Sequence, residues 1–188
     1  TTKRLTRWFS YTTSAGAAPS RQGQRPALSH LGIDAADAAF TDAVPWFFVK
    51  SGKGSQGEAM RERFNPVAVT LGVRQGSLPP RPSPSELVRL ATRDGRKDSL
   101  RTEILEADAP LVITLGQEAL DAVRGVADRC SGVQRRLTPD GYGAVGELTI
   151  DSRHMQFLPL VHPGFQRQSK RPEWVEAFAR WAANARHG

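Results

Sequence analysis

The sequence predicts an α/β domain with a central, mainly parallel four-stranded sheet flanked by helices. Residues 109–116 form a buried apolar run, and Gly116 leads directly into an amphipathic segment over residues 117–126. A strand that passes through a glycine into a helix is the repeating unit of a parallel sheet. Residues 155–161 form a second apolar run, and residues 172–186 form a closing helix with aromatic side chains at helical spacing.

Local patterns predict the remaining elements. Ser83, Pro84 and Glu86 mark a helix start, because the serine can cap, the proline suits the first position and the glutamate completes a capping box. Residues 50–63 are rich in glycine and charge and are expected to form a mobile loop, whereas residues 65–78 are ambiguous, with a short strand as one interpretation. The other predicted elements are a short helix at 26–33, a strand over 38–50 that leads into a loop, a helix at 99–107 and a strand at 147–150.

Length and charge bound the class of protein. The 188 residues suit one domain, 1–188, with its own core; because Thr1 stands where methionine is expected, N-terminal truncation and processing are both open interpretations. Lysine and arginine number 26 against 19 aspartates and glutamates, which gives a formal charge of +7. This excess favours a polyanionic partner, most simply DNA, although an arginine-rich proteome would also explain it.

Cysteine, histidine and hydropathy exclude several classes. Cys130 is the only cysteine, so we expect no intrachain disulfide and no cysteine-ligated metal, and the four histidines show no metal-ligand spacing. We therefore expect no cofactor. No apolar run approaches membrane-spanning length and no signal peptide is visible, so we expect a bacterial-type cytoplasmic protein that acts at the nucleoid and binds no membrane.

The stretch at residues 158–168 is the strongest candidate for a functional site. It begins as an apolar strand and then turns at a Pro-Gly pair. Ligands of open α/β sheets bind at the loops beyond the strand ends. An imidazole, an aromatic ring and a cation on one tight loop suit the handling of a nucleic-acid base; a solvated turn with a capped histidine is the alternative. The loop comprises His162, Pro163, Gly164, Phe165, Gln166 and Arg167.

Two other features draw attention. Asp42 lies in the apolar interior of a predicted strand, where a carboxylate is costly to bury unless it is paired or functional. Residues 1–24 are basic, aromatic and irregular in pattern. They suit a loop that contacts phosphates and stacks a ring on a base, or else a terminus whose aromatic residues fold onto the core.

Four segments, taken together, resemble the uracil-DNA glycosylase superfamily. Residues 109–119 resemble its "a-P-vvi-x-LG-x-x-A" strand and helix, residues 161–165 resemble its His-Pro-Ser motif, and residues 40–44 lie where that family has a strand ending in Asn-x-Val. The fourth segment resembles its "F-S … P-P-S" stretch and comprises Phe9, Ser10, Pro19 and Ser20. The resemblance spans most of the chain.

This resemblance implies base flipping and a role for each matching residue. His162 would donate to the base O2 as the N-glycosidic bond breaks, Phe9 would stack on the flipped base, and Asp42 would read it. Phe165 or Arg167 would fill the gap left in the duplex. The residues expected to contact DNA are Ser10, Pro19, Ser20, Arg21, Pro163, Gly164, Phe165, Gln166 and Arg167.

Three departures separate the chain from that family. The family's water-activating acid or amide precedes the stacking phenylalanine, but residues 1–8 contain no Asp, Glu or Asn. Asp42 replaces the expected asparagine, and Gly164 replaces serine. We therefore expect a divergent DNA N-glycosylase that excises uracil or a modified base. A non-catalytic DNA-binding or assembly protein with the same fold is the alternative, and a nucleotide or nucleoside hydrolase is a third interpretation.

Overall fold

The fold is built on a mixed sheet of six strands. The computed structural model describes residues 7–11, 28–46, 48, 56–72, 80–162 and 171–184. Across the sheet the strands follow the order β2-β1-β3-β6-β5-β4. They are β1 (Arg7–Tyr11), β2 (Ala38–Asp42), β3 (Leu111–Leu115), β4 (Arg129–Ser131), β5 (Gly146–Ile150) and β6 (Arg153–Leu160).

The prediction of the α/β class with flanking helices is confirmed, but the mainly parallel four-stranded sheet is corrected. Strands β2, β1, β3 and β6 run parallel, whereas β5 and β4 extend the sheet in antiparallel pairing. Only Asp151 and Ser152 separate β5 from β6, and both have positive φ, 46° and 69°. A two-residue turn of this kind joins only antiparallel strands, so β5 folds back on β6.

The helices are α1 (Gln56–Ala59), α2 (Asn65–Thr70), α3 (Pro84–Ala91), α4 (Arg96–Glu106), α5 (Gln117–Val126) and α6 (Pro172–Asn184). Of these, α4, α5 and α6 cover the two faces of the sheet. On one face, Leu100 of α4 and Leu120 of α5 belong to the same buried cluster as Val112. On the other, Trp181 of α6 and Leu28 belong to a cluster with Ile113. Alternate side chains of β3 therefore pack into the two layers of the core, because successive residues of a strand point to opposite faces.

Several predicted elements are confirmed. The Ser83 hydroxyl accepts a hydrogen bond from the Glu86 backbone N–H at 3.3 Å, and Pro84 opens α3. All five residues of β3 are buried, and the chain passes through Gly116 into α5. Trp174 and Trp181 are each only 9 % exposed, so the aromatic stripe of α6 belongs to the core.

Two stretches differ from the sequence prediction. The N-terminal aromatic stretch contains β1, which lies in the interior of the sheet between β2 and β3. Residues 50–63 were expected to form a loop, but their described part is helical: α1 is followed by a π-helical turn, Met60–Phe64. Helix α2 replaces the possible strand. Alanine, glutamate, methionine and arginine are good helix formers, so a charge-rich stretch can form an exposed helix as readily as a loop.

Candidate functional site

The parallel strands bring the two central candidate residues to one edge of the sheet. Asp42, Tyr11, Leu115 and Leu160 pair side by side as one row across β2, β1, β3 and β6. His162 follows two residues beyond this row. Three strand spacings separate β2 from β6, so the two ends lie roughly 14 Å apart in the sheet. Asp42 and His162 therefore share an edge without contacting each other directly.

Asp42 lies on the face of the sheet that packs against α6. It alternates with Ala38 and Phe40, which pack against the α6 cluster. Leu158 and Leu160 of β6 belong to that same cluster, and β6 ends at Leu160, two residues before His162. His162 is half-buried and its Nε2 atom is buried. A ligand that reached both side chains would lie over the ends of β1 and β3.

Gly116 joins β3 to α5 beside His162. Its N–H donates to the carbonyl oxygen of Leu160 at 2.8 Å, which ties the end of β3 to the end of β6. Its φ of 100° and ψ of 163° lie in a region that is essentially restricted to glycine. A Cβ placed there would lie 3.8 Å from the Cβ of His162 and 3.7 Å from Oε2 of Glu118. This glycine therefore lies between the Cβ atom of His162 and the carboxylate of Glu118.

Glu118 is a site residue that sequence reasoning missed. It lies in the first turn of α5, and its Oε1 is 3.6 Å from Nη2 of Arg81. Its side chain is 22 % exposed, so it is shielded yet reachable from solvent. The sequence offered one signal, because a glutamate two residues after a strand-ending glycine must lie near the carboxyl edge of the sheet.

Asp42 is the last residue of β2, and not an interior residue of that strand as expected. Among the described residues, none donates a hydrogen bond to its buried Oδ1 atom. Burial raises the pKa of the Asp42 carboxyl to about 6, and the nearby charge of Arg96 offsets only part of this effect. A carboxylate with a raised pKa at a strand end is a frequent feature of functional sites.

A buried network fixes the backbone that follows Asp42. Arg96, whose side chain is 9 % exposed, pairs with Glu103 and donates to the carbonyl oxygens of Asp42 and Ala43 at 2.5 Å and 3.0 Å. The hydroxyl of Thr41 donates to Glu103 at 2.5 Å. Burial raises the pKa of Glu103, but hydrogen bonds from Arg96 and Thr41 outweigh it, and the net pKa is below the ordinary value. No sequence pattern links Arg96 to Asp42.

The other predicted site residues divide into two groups. Phe9 and Ser10 lie within β1, where the backbone of Phe9 pairs with Phe40 and Ile113, so Phe9 precedes the strand end by two residues. The predicted DNA-contacting residues outside the described part of the chain are Pro19, Ser20, Arg21, Pro163, Gly164, Phe165, Gln166 and Arg167.

The described residues also bear on metal binding and on membrane insertion. In those ranges, no group of three or more His, Cys, Asp or Glu side chains could hold a metal ion. Nor does any helix in the described part of the chain have the length and apolar character needed to cross a bilayer.

No known protein family matches this sequence, and no curated protein matches it at a significant level.

Proposed function

We propose that the protein is a DNA N-glycosylase that flips uracil or a modified base out of DNA and hydrolyses its N-glycosidic bond. The observation that carries the proposal is the pair formed by His162 and Asp42, which lie at one edge of the parallel strands. The ends of β2 and β6 lie roughly 14 Å apart across the sheet. This distance leaves room for one heterocycle that forms a hydrogen bond at each end.

The two residues divide the work of recognition and catalysis. The base becomes negatively charged as the bond to C1′ breaks, and a donor aimed at its O2 stabilises that charge. His162 supplies this donor. Asp42 meets the opposite edge of the base, where hydrogen-bond polarity distinguishes one base from another.

The raised pKa of Asp42 bears on which base is accepted. An ionised carboxylate only accepts hydrogen bonds, whereas a protonated one also donates. Because its pKa is about 6, Asp42 is mostly ionised at pH 7 and partly protonated at pH 6. An ionised Asp42 favours a base with an exocyclic amine, whereas a protonated Asp42 tolerates the carbonyl of uracil.

The charge of the chain supports a DNA substrate. A net formal charge of +7 raises affinity for a polyanion. If cationic side chains contact phosphates, the logarithm of affinity falls linearly with the logarithm of salt concentration. Arg21 and Arg167, whose structure lies outside the described residues, are the first candidates for such contacts.

The test measures base release and DNA binding in parallel. The substrates are single- and double-stranded oligonucleotides that contain uracil, 5-substituted uracils, cytosine derivatives or hypoxanthine, at pH 6 and pH 8. Release of a free base with an abasic product supports the proposal. DNA binding without release from any substrate would favour a non-catalytic DNA-binding protein. Cleavage of free nucleosides or nucleotides without DNA binding would favour the hydrolase.

A further inference from the structure

The carboxylate of Glu118 lies beside His162. Its Oε2 atom and the His162 Cβ atom are both within 4 Å of one point, the position that a Cβ on Gly116 would occupy. Because Gly116 has no side chain, nothing from that residue separates the carboxylate of Glu118 from His162. The three residues thus lie together at the ends of β3 and β6.

Arg81 orients this carboxylate. The guanidinium lies 3.6 Å from Oε1, so Oε1 faces the cation while Oε2 lies over Gly116. Neither partner is fully buried, with 25 % of the Arg81 side chain and 22 % of the Glu118 side chain exposed. Solvent therefore reaches part of the Glu118 side chain.

Other carboxylates near this edge are less suited to meet water beside His162. Asp42 lies three strands away from His162, at the opposite end of the candidate site. Asp121 accepts a hydrogen bond from the Gln117 side-chain amide, which also bonds the backbone of Arg135 and Leu137. Asp121 therefore belongs to a hydrogen-bond network that fixes the loop after β4.

We propose that Glu118 is the water-activating carboxylate of this site, an inference that rests on the glycosylase function proposed above. Glu118 lies beside His162 at the end of β3, whereas Asp42 lies three strands away and Asp121 is bound by Gln117. A carboxylate that takes a proton in the transition state accelerates such a step by about 10²–10⁴-fold.

The step balances as a hydrolysis. Oε2 of Glu118 accepts a proton from water, and the water oxygen forms the new bond to C1′. The electron pair of the C1′–N bond leaves with the base, whose O2 accepts a hydrogen bond from His162. Glu118 then returns the proton to the released base or to solvent, so no oxidant, reductant or metal is consumed.

The experiment compares single-turnover base release by the wild type, Glu118→Gln, Glu118→Ala and the control Glu147→Ala. Glu147 is an exposed carboxylate on β5, away from the ends of β3 and β6. We expect Glu118→Gln and Glu118→Ala to release base at least about 100-fold more slowly at unchanged DNA affinity. Glu147→Ala is expected to stay within twofold of the wild type. Added formate, a small carboxylate, should restore part of the rate of Glu118→Ala alone.

The outcomes separate the two proposals. A wild type that releases no base from any substrate would overturn the glycosylase function and this inference with it. An active wild type whose Glu118→Gln variant is within twofold of it would overturn the role of Glu118 alone. If Glu118→Gln fails to fold, the formate response of Glu118→Ala decides, because a purely structural carboxylate would give no rescue.

Discussion

Arg96 binds the backbone of Asp42 and not its carboxylate. The guanidinium donates to the Asp42 carbonyl oxygen at 2.5 Å, and among the described residues no donor reaches the buried Oδ1 of that side chain. Glu103 neutralises the cation from the other side. The network therefore fixes the end of β2 while it leaves the Asp42 side chain available to a ligand.

Removal of Arg96 should destabilise the fold. We expect Arg96→Ala to lower the free energy of unfolding by about 2–3 kcal/mol, because Glu103 and two carbonyl oxygens lose their partner. This loss of unfolding free energy is small for a broken buried ion pair, because 33 % of the Glu103 side chain is exposed and water can solvate its charge. Urea unfolding measures the change.

Arg89→Ala is the matched control, because Arg89 forms a surface pair with Glu86 on α3. It should leave the free energy of unfolding nearly unchanged, because ion pairs between exposed side chains contribute little to stability. In a double-mutant cycle, Arg96→Ala with Glu103→Gln should cost less than the two single changes combined. Equal effects of Arg96→Ala and Arg89→Ala would contradict the role of the network.

The pKa of Asp42 makes stability depend on pH. Its folded value of about 6 lies above the ordinary 3.8, so the stability that the protonated form contributes is present below pH 4 and is lost as pH rises through 6. Asp42→Asn cannot ionise and should gain stability relative to the wild type between pH 4 and pH 8. We expect a relative rise in Tm of about 2–4 °C, after allowance for solvent screening at this half-buried group.

Thermal unfolding at several pH values measures this difference, with Asp140→Asn, an exposed residue, as the control. A Tm difference between Asp42→Asn and the wild type that does not change with pH would show that Asp42 ionises normally in the folded protein.

The elements that the sequence predicted well are those with a strong local signal. The run at 111–115 is apolar at every position except Thr114, and Ser83 has its capping partner only three residues away. β1 was missed because its pairing with β2 and β3 spans about 30 and 100 residues of chain, as for any non-local contact.

The same distinction applies to the candidate site. The sequence points to Asp42 and His162 as candidates because each is a polar residue at or near an apolar strand, which is a local anomaly. Arg96 could not be found, since its partner carbonyls lie 54 and 53 residues earlier in the chain. Strand order decides which residues meet, and a single sequence does not specify that order.

Gly116 should tolerate no side chain. We expect Gly116→Ala to lower the free energy of unfolding by about 2–3 kcal/mol, because its φ and ψ are accessible only to glycine. The added methyl would make only ordinary contacts with Glu118 and His162, so backbone strain is the cause. Gly72→Ala is the comparison: Gly72 has a φ of 64° in open space and should cost about 1 kcal/mol. Equal losses would show that Gly116 can adopt another conformation.

His162 should affect catalysis more than binding. Loss of one donor to a developing negative charge typically costs about 10²–10³-fold in rate. We expect His162→Ala to slow base release by that factor and to leave DNA affinity nearly unchanged. His154→Ala, which removes an exposed imidazole at the other end of β6, is the control and should keep the wild-type rate. A parallel loss of binding and rate would count against a role for His162 in polarising the base.

The identity of residue 42 should set base preference. An asparagine side chain accepts from uracil N3–H and donates to O4, whereas an ionised aspartate only accepts and meets O4 with like polarity. We therefore expect the wild type to release plain uracil poorly at pH 8 and better at pH 6, where more of Asp42 is protonated. Asp42→Asn should shift the preference toward uracil and remove this pH dependence. The measurement is the ratio of release rates for uracil and cytosine-type bases in both proteins at both pH values. Identical ratios would show that Asp42 pairs elsewhere in the fold and does not read the base.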